Sequence, residues 1–385
     1  MTRIAADWIA APPTRAVTDA MAAAGHEIYF VGGCVRNALL GQPVSDIDLA
    51  TNAAPKETLA AAQAAGLRAV PTGIDHGTVT LVADGHPFEV TTFRRDVETD
   101  GRRAVVVFSE RLEDDAARRD FTMNALYATP DGTVIDPVGG LADLAAGRLR
   151  FIGDADGRIA EDYLRILRFF RFHAWYADPA NGMDGEALAA CARGADGLGR
   201  LSAERVGHEM RKLLAAPDPA PSVAAMARTG ILARVLPGAD PAMLAPLVDL
   251  EDRFDVAADP IRRLAALGGE DPAARLRLSR AEARRLSQLR AALGSDETPA
   301  ALGYRYGPDT AMDIALLRAA LSGQPLAADT TAEISRGARS PCPVGAVDLM
   351  PGLAGAALGD ALARIEGRWI RSDFRASRDE LLHKL

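Results

Sequence analysis

Residues 29–51 read YFVGGCVRNALLGQPVSDIDLAT, and this stretch decides the fold of the N-terminal part of the chain. Its first three residues are apolar and predict a short strand. Gly32 and Gly33 follow and predict a turn, in which backbone amides can approach a phosphate before a helix begins. Arg36, inside that helix, can add a charge-assisted contact to the same phosphate. A Gly-Gly turn alone is common, so its meaning depends on the residues that come next.

Two acidic residues stand near the end of this stretch, and a third follows on a later strand. Side chains alternate along a strand, so Asp46 and Asp48 project from one face. Residues 78–83 and 86–93 predict two strands joined by an Asp-Gly turn, which can bring Glu89 beside both carboxylates. Three convergent carboxylates can hold two magnesium ions, and such a pair suits an in-line displacement at phosphorus. The order and spacing therefore predict a metal-dependent nucleotidyl-transfer site.

The composition predicts a globular protein of more than one domain, because 385 residues with 48% hydrophobic content can bury large cores. No run approaches the roughly 20 continuous apolar residues of a membrane span, and the N-terminus lacks the pattern of a secretion signal, so we expect a cytoplasmic protein. The net charge of −8 does not by itself favour a nucleic-acid partner. It does not exclude one either, because a total charge says nothing of where basic residues cluster. Cys34, Cys191 and Cys342 are too widely spaced to indicate a disulfide framework or a zinc site.

The chain changes character near residue 150. Before it, short β-branched or aromatic runs alternate with turns and helical stretches, which predicts an α/β head. After it, the spacing of apolar residues predicts long amphipathic helices, the first over residues 158–176. Proline-rich breaks lie at residues 215–221 and 340–343. Residues 94–117 predict a long charged connection beside the acidic site, consistent with either a mobile substrate loop or disorder.

Six stretches carry a resemblance to a known family. They are residues 31–37 (VGGCVRN), 46–51 (DIDLAT), 73–78 (GIDHGT), 118–126 (RRDFTMNAL), 136–140 (DPVGG) and 161–168 (EDYLRILR). In combination they make the chain resemble the class II tRNA nucleotidyltransferase and bacterial poly(A) polymerase family, of which the CCA-adding enzymes are the best match. The family's usual Gly-Gly-x-Val-Arg-Asp ends here in Asn37, where a neutral amide replaces the carboxylate.

The resemblance implies an architecture and a set of site residues. The architecture is an α/β nucleotidyltransferase head, a small mixed sheet with helices, over residues 1–150, followed by an all-α neck (151–215), body (216–339) and tail (340–385), with weak similarity in the body and tail. The resemblance implies that Asp46, Asp48 and Glu89 are catalytic and bind magnesium. It implies that the nucleotide-binding residues are Gly32, Gly33, Arg36, Arg119, Asp120, Asn124, Asp162, Arg165, Arg168 and Arg171.

The predicted helix after residue 158 carries a polar stripe, because residues three apart share a face. Asp162 and Arg165 place an acceptor beside a donor and can imitate the hydrogen-bonding partner of cytosine or adenine. The alternative is an ordinary surface ion pair, which is common in an arginine-rich chain. The resemblance makes this pair the protein template for CTP or ATP, with Arg168 and Arg171 directed at the phosphates.

Residues 118–124 predict a helix start near the acidic site. Asp120 could accept a hydrogen bond from a ribose 2′-hydroxyl or could cap the helix, and the sequence alone leaves both roles open. Arg119 could contact phosphate. No covalent intermediate is required, because an RNA 3′-hydroxyl can attack the α-phosphate directly.

The leading functional hypothesis is template-independent addition of C, C and A to tRNA 3′ ends, using CTP, ATP and magnesium and releasing pyrophosphate. A poly(A) polymerase is the nearest alternative, and an enzyme that adds only CC or only A is another. A catalytically silent RNA-binding scaffold is the alternative from a different class. The expected partners are the tRNA 3′ end and the two nucleotides, and the sequence does not indicate an oligomeric state.

Overall fold

The computed structural model of the chain describes residues 2–100, 103–350 and 352–383. The chain forms two compact units, one ending at Pro237 and the other beginning at Gly238. Among the described residues, no helix has both the length and the apolar character needed to cross a bilayer. The three cysteines are free thiols, and two of them, Cys34 and Cys191, are buried.

The head is built on a mixed sheet that has seven strands within the described residues. They are β1 (Ile28–Val31), β2 (Asp48–Thr51), β3 (Arg68–Gly73), β4 (Thr78–Ala83), β5 (His86–Thr92), β8 (Tyr127–Ala128) and β9 (Val134–Ile135), and the order across the sheet is β3-β4-β5-β2-β1-β8-β9. Strands β2 and β5 are parallel, and the other neighbouring pairs are antiparallel. In β4, Val79, Leu81 and Ala83 are buried and alternate with half-buried residues, as a strand with one face on the core requires.

The helices of the first unit cover the sheet and then continue alone. They are α1 (Asp7–Ala10), α2 (Pro12–Ala23), α3 (Gly33–Leu39), α4 (Pro55–Ala64), α5 (Leu112–Ala117), α6 (Gly140–Ala145), α7 (Ala155–Glu161), α8 (Leu164–Tyr176), α9 (Gly185–Arg193), α10 (Ala203–Leu214), α11 (Ala220–Arg228) and α12 (Ile231–Val235), with 3₁₀ turns at Ile74–His76, Thr122–Asn124, Pro179–Asn181 and Gly194–Arg200. The change from an α/β head to an all-helical remainder is therefore confirmed.

An aromatic cluster packs α8 against the end of the head. The ring centroids of Phe121 and Phe151 lie 4.8 Å apart, and those of Phe151 and Phe169 lie 5.7 Å apart in a stacked arrangement. These rings are almost completely buried. Burial of large aromatic surfaces holds α8 in a fixed position against this end of the head.

The prediction of a long connection over residues 94–117 is wrong. This segment forms an antiparallel hairpin of β6 (Arg94–Asp100) and β7 (Arg103–Phe108), followed by α5. The strand signal is the run AVVVF at residues 104–108, because β-branched and aromatic residues favour strands. Gly101 and Arg102 of the predicted substrate loop lie outside the described residues.

The prediction of one continuous helix from residue 158 to residue 176 is also wrong. Helix α7 ends at Glu161 and α8 begins at Leu164, and Asp162 between them has extended backbone angles (φ −153°, ψ 105°). The Asp162 carboxylate accepts a hydrogen bond from the backbone N–H of Leu164 at 3.0 Å. This bond satisfies one of the amides that a new helix leaves without a partner, so the side chain stabilises the break.

The second unit is helical over its described residues. Its helices are α13 (Leu244–Arg253), α14 (Pro260–Leu267), α15 (Pro272–Arg275), α16 (Arg280–Leu293), α17 (Pro299–Ser322, interrupted at Gly307), α18 (Thr330–Ala338), α19 (Ala346–Leu349), α20 (Gly355–Arg371) and α21 (Arg378–Leu382), with a 3₁₀ turn at Pro241–Met243. Its core contains a buried ion cluster in which Glu251 accepts from both Arg262 and Arg263 at 2.7–2.8 Å. The division into neck, body and tail at residues 215 and 339 stays a prediction.

Candidate functional site

The acidic residues line one edge of the sheet where β2 begins. Asp48 is the first residue of β2 and lies in register with Glu89 on the parallel strand β5. Asp46 precedes the strand by two residues, and its carboxylate accepts a hydrogen bond from the Ser45 hydroxyl at 3.0 Å. All three acidic residues are exposed. The strands thus bring Asp48 and Glu89 side by side, while Asp46 reaches the same edge from the preceding loop.

The negative charges of the carboxylates at this edge repel one another. Partial burial raises the pKa of Asp48, and the neighbouring carboxylates of Glu89 and Asp46 raise it further, while Arg119 acts in the opposite direction. Like charges at short range oppose ionisation unless a cation is present. Exposed carboxylate oxygens are the ligands that magnesium prefers, so this donor set fits the metal. Within the described part of the chain, however, no three acidic, histidine or cysteine side chains converge closely enough to form a preassembled metal cluster.

The Gly-Gly turn lies between β1 and α3, beside these carboxylates. Gly32 has φ 73° and ψ −119°, a conformation that a residue with a Cβ rarely adopts. A Cβ there would lie 3.3 Å from Nη1 of Arg119. Gly33 opens α3. Glycine at position 32 therefore allows the turn to close over the Arg119 side chain.

Arg36 is buried and joins α3 to α8 instead of standing free for a phosphate. Its guanidinium donates to the hydroxyl of Tyr176 at 2.8 Å and to the side-chain oxygens of Asn37 and Asn124. It also lies over the Tyr176 ring, 4.0 Å from the centroid. Asn37 thus accepts from Arg36 through a neutral amide oxygen. These contacts make Arg36 a structural link within the site.

Arg119 is held beneath the Gly-Gly turn by a buried carboxylate. It donates to Asp115 at 3.0 Å and to the hydroxyl of Tyr127 at 3.1 Å. Burial alone would raise the pKa of Asp115, but Arg119 and Arg118 hold that pKa at about 2. Asp115 therefore keeps its charge, and Arg119 acts on Asp48 as a fixed positive neighbour.

Asp120 forms a buried ion pair, which neither of its predicted roles anticipated. Its carboxylate accepts from Arg168 on α8 at 2.6 Å and from the side-chain amide of Asn124 at 3.0 Å. Burial opposes ionisation, but Arg168 and Asn124 hold the pKa of Asp120 at about 2. Arg168 is therefore directed at Asp120 in this structure. Because Asn124 also accepts from Arg36, one polar network connects the head to α8.

The predicted base-recognition pair is not assembled in this structure. Asp162 pairs with Arg205 on α10 at 2.6 Å. Arg165 instead pairs with Glu161 and donates to the backbone carbonyl oxygens of Arg158 and Arg118, at 2.8 Å and 3.0 Å. The helix break at Asp162 is the physical reason, because it takes this carboxylate off the face that Arg165 occupies.

Two clefts meet at the acidic edge, and both lie within the first unit. The first, of about 430 Å³, is lined by Gly33, Cys34, Arg36, Asn37, Val44, Ser45, Asp46, Asp48, Arg171, Trp175, Tyr176, Lys212 and Ala215. The second, of about 840 Å³, is lined by Trp8, Ala11, Pro13, Thr14, Ser45, Asp46, Ile47, Asp48, Thr80, His86, Pro87, Phe88 and Glu89. The two clefts share Ser45, Asp46 and Asp48. The first contains cationic side chains, whereas the second is more apolar.

Several residues at these clefts were missed by sequence reasoning. Helical spacing places Trp175 one turn after Arg171 on α8, and it places Lys212 on the same face of α10 as Arg205. That spacing could have grouped them. Helical spacing could not indicate that Trp175 and Lys212 line the same cleft as Asp46 and Asp48, because tertiary packing decides which residues meet there. Trp8, which lines the second cleft, carries no local signal at all.

Family models and known proteins match parts of this chain. The model of the poly(A) polymerase head domain matches residues 28–150, and the model of the probable RNA and SrmB-binding site of polymerase A matches residues 182–243. The mitochondrial CCA tRNA nucleotidyltransferase 1 of Mus musculus is 43% identical over 201 residues, which are 52% of this chain and 46% of that protein. The CCA-adding enzyme of Geobacillus thermodenitrificans is 41% identical over 216 residues, 56% of this chain and 52% of that protein. The chain thus spans about half the length of the curated relatives it matches.

Solved structures match over nearly the whole chain. The CCA-adding enzyme of Bacillus stearothermophilus in complex with CTP aligns with a TM-score of 0.74 at 31% identity and covers 94% of each chain. The CCA-adding enzyme of Thermotoga maritima complexed with tRNA aligns with a TM-score of 0.67 at 20% identity, over 96% of this chain and 93% of that chain. The second likeness concerns the fold alone.

Proposed function

The chain belongs to the family of CCA-adding enzymes, the class II tRNA nucleotidyltransferases, and on that premise we propose that it adds C, C and A to tRNA 3′ ends. The observation that carries this proposal is the pair of clefts that meet at Asp46 and Asp48. An in-line displacement needs the leaving group and the attacking group on opposite sides of one phosphorus atom. In this proposal the cationic cleft and the more apolar cleft, which share Asp46 and Asp48, supply those two places.

In this proposal the first cleft takes CTP or ATP and the second takes the 3′-terminal nucleoside of the RNA. The RNA 3′-hydroxyl attacks the α-phosphorus, a new phosphodiester bond forms, and pyrophosphate leaves on the side of the first cleft. Glu89 lines only the second of the two clefts, and in this proposal its carboxylate accepts the proton of that hydroxyl. The apolar walls beside it favour the face of a nucleobase over bulk water.

Asp46, Asp48 and Glu89 would hold the magnesium ions that the family chemistry implies. When bound, magnesium supplies a lower pKa for the attacking hydroxyl and neutralises charge on the leaving pyrophosphate. The unfavourable interaction among these carboxylates supports this role, because a cation relieves it. Two ions per site are part of the proposal.

Base selection stays assigned to Asp162 and Arg165 as a proposal. In the present structure Arg205 neutralises Asp162 and Glu161 neutralises Arg165. A cytosine or adenine amino group could replace Arg205 as the donor to Asp162, because a partly exposed carboxylate accepts from either kind of N–H group. Nucleotide binding would therefore be coupled to release of these two ion pairs.

A poly(A) polymerase is the second candidate, because the family model that matches residues 28–150 describes such a head domain. Enzymes that add only CC or only A share the same site and stay alternatives. Cytoplasmic residence stays a prediction, and the matched mouse relative is named as mitochondrial.

The test is incorporation of labelled CTP, ATP or both onto tRNA transcripts that end before CCA, after C, or after CC. Products are resolved to one nucleotide. We expect synthesis to stop at CCA. Long A tails would instead identify a poly(A) polymerase, arrest at CC or addition of A alone would identify a specialised enzyme, and no incorporation would favour the RNA-binding scaffold.

A further inference from the structure

Lys212 lies at the mouth of the first cleft, on the last turn of α10. Its side chain is exposed. Its backbone carbonyl accepts a hydrogen bond from the indole N–H of Trp175 at 2.8 Å. This bond fixes α10 against α8 at the level of Lys212. The lysine therefore stands on a defined wall of the cleft that also contains Asp46 and Asp48.

The other cations that line this cleft are already bound to protein groups. Arg171 pairs with buried Glu209 at 2.6 Å, and Arg36 donates to Tyr176 and Asn124. In the described parts of the chain, the Lys212 ammonium makes no hydrogen bond or ion pair. Its charge is thus the one that an anion in the cleft can neutralise without breaking a contact within the protein.

The pKa of a nearby histidine is lowered by the positive charges at this wall. His208 lies one turn before Lys212 on α10. Partial burial lowers the pKa of His208, and the charges of Lys212, Arg211 and Arg171 lower it further, while Glu209 acts in the opposite direction. The groups facing this position are therefore predominantly cationic.

We propose that Lys212 binds the β- and γ-phosphates of the incoming nucleoside triphosphate and then the pyrophosphate product. This inference rests on the proposed function, because it places the leaving group in the first cleft. An ammonium is a compact point charge that suits phosphate oxygens, and it lacks the planar fork that reads a base. During transfer the bond from the 3′-oxygen to the α-phosphorus forms, the α–β phosphoanhydride bond breaks, and the new charge on pyrophosphate develops beside Lys212.

The test compares Lys212→Gln with the wild-type protein in calorimetric titrations at fixed magnesium concentration. Inorganic pyrophosphate, CTP and CMP are titrated separately. Loss of one charge-assisted contact should raise the Kd for pyrophosphate and for CTP about tenfold. The Kd for CMP should not change, because CMP has no β- or γ-phosphate.

Two further variants control the measurement. Lys212→Arg keeps the charge and should bind pyrophosphate with a Kd close to that of the wild type. Lys56→Gln removes an exposed lysine of α4 that lines neither cleft and should leave every Kd unchanged. Circular dichroism checks that each variant is folded.

Equal pyrophosphate affinity in wild type and Lys212→Gln would overturn the inference, and so would an equal loss of CMP affinity. These outcomes are separate from failure of the proposed function. If the wild-type protein binds pyrophosphate but never extends tRNA, the proposed function is wrong. If it completes CCA but Lys212→Gln binds pyrophosphate as tightly as the wild type, only this inference is wrong.

Discussion

At the scale of single residues, the negative charge of Asp48 is needed for the proposed activity but lowers the stability of the folded protein. Partial burial and the carboxylates of Glu89 and Asp46 raise its pKa above the ordinary value of 3.8. Ionisation of a group with a raised pKa costs the folded state free energy, so this cost appears as the pH rises through that pKa. Asp48→Asn removes the charge and the cost. We expect the variant to lose nucleotide incorporation but to melt about 2 °C higher at pH 7.

The pH dependence distinguishes this cause from a general packing effect. The stability gain of Asp48→Asn should disappear by about pH 3, where Asp48 is protonated in both folded and unfolded wild-type protein. Melting curves at pH 7 and pH 3 measure it. A gain that persists unchanged at low pH would contradict the electrostatic explanation, and retained incorporation would contradict the assignment of Asp48 to the metal site.

Asp162 provides the residue-scale test of base selection. We expect Asp162→Ala to add UTP and GTP more readily relative to CTP and ATP, because the acceptor for the amino group of cytosine or adenine is gone. The measurement is the ratio of kcat/KM values for the four nucleotides on a tRNA transcript. Arg193→Gln, which breaks an exposed ion pair with Asp156 elsewhere in the first unit, is the control. Unchanged selection by Asp162→Ala would remove this residue from the proposed template.

The sequence predicted that Glu89 lies beside Asp48, because the spacing of residues along a strand determines which residues face each other across the sheet. The alternating pattern of residues 78–93 brought Glu89 to Asp48, as the structure has it. Arg165 and Asp162 were placed together on one helix face because neither Gly nor Pro marks the break between Glu161 and Leu164. The hydrogen bond from Leu164 to Asp162 and the ion pair with Arg205 decide that geometry, and neither is visible in local spacing.

At the scale of elements, the ion pair of Asp120 with Arg168 couples the head to α8. Asp120→Asn leaves the half-buried Arg168 guanidinium without its carboxylate partner, next to a position that is itself buried. Breaking such a pair typically costs about 3 kcal/mol, so we expect the free energy of unfolding to fall by about that amount at pH 7. Urea denaturation measures it. Asp156→Asn, which breaks an exposed ion pair with Arg193, should cause little change.

The same pair has a defined pH dependence. Because the pKa of Asp120 is held at about 2, below its ordinary value of 3.8, its contribution to stability is present above that ordinary value and is lost as the pH falls through about 2. The stability difference between wild type and Asp120→Asn should therefore narrow below about pH 4. A difference that stays constant between pH 7 and pH 3 would contradict the ionic origin.

The elements themselves were predicted unevenly, and the reasons are physical. Strands β4 and β5 were predicted because apolar and polar residues alternate around an Asp-Gly turn. The β6–β7 hairpin was missed because its charged residues outweighed the AVVVF run at residues 104–108 in the interpretation. The hairpin forms a two-stranded sheet of its own, separate from the seven-stranded sheet that contains β4.

At the scale of the whole molecule, the chain combines a net charge of −8 with a phosphate-binding role proposed for one cleft. The overall charge does not exclude that role, because Lys212 lines the first cleft together with Arg36 and Arg171, which are bound to protein groups. The sequence predicted an α/β head followed by helices, because the period of the apolar pattern changes near residue 150. It could not locate the division after Pro237, because the break there depends on which helices pack together.

The two units give the last prediction. In the second unit, Glu251 is 1% exposed and pairs with both Arg262 and Arg263, which are each 2% exposed. Glu251→Gln would remove one charged partner from both guanidinium groups, while Arg262 keeps its ion pair with Asp313 at 2.7 Å, and loss of a buried charged partner typically costs about 3 kcal/mol. We expect the second unit to unfold at a lower temperature. The first unit, which contains both clefts, should keep its CTP affinity.

This difference separates nucleotide binding from action on tRNA. Calorimetric unfolding should resolve two transitions in Glu251→Gln, and isothermal titration should give a Kd for CTP close to that of the wild type. At a temperature between the two transitions, CCA addition to tRNA should fall sharply while CTP still binds, if the second unit supports the tRNA. Asp249→Asn, which breaks an exposed ion pair with Arg253, is the matched control. Parallel loss of CTP affinity would mean that the units depend on each other, because unfolding of the second would then carry the clefts of the first with it.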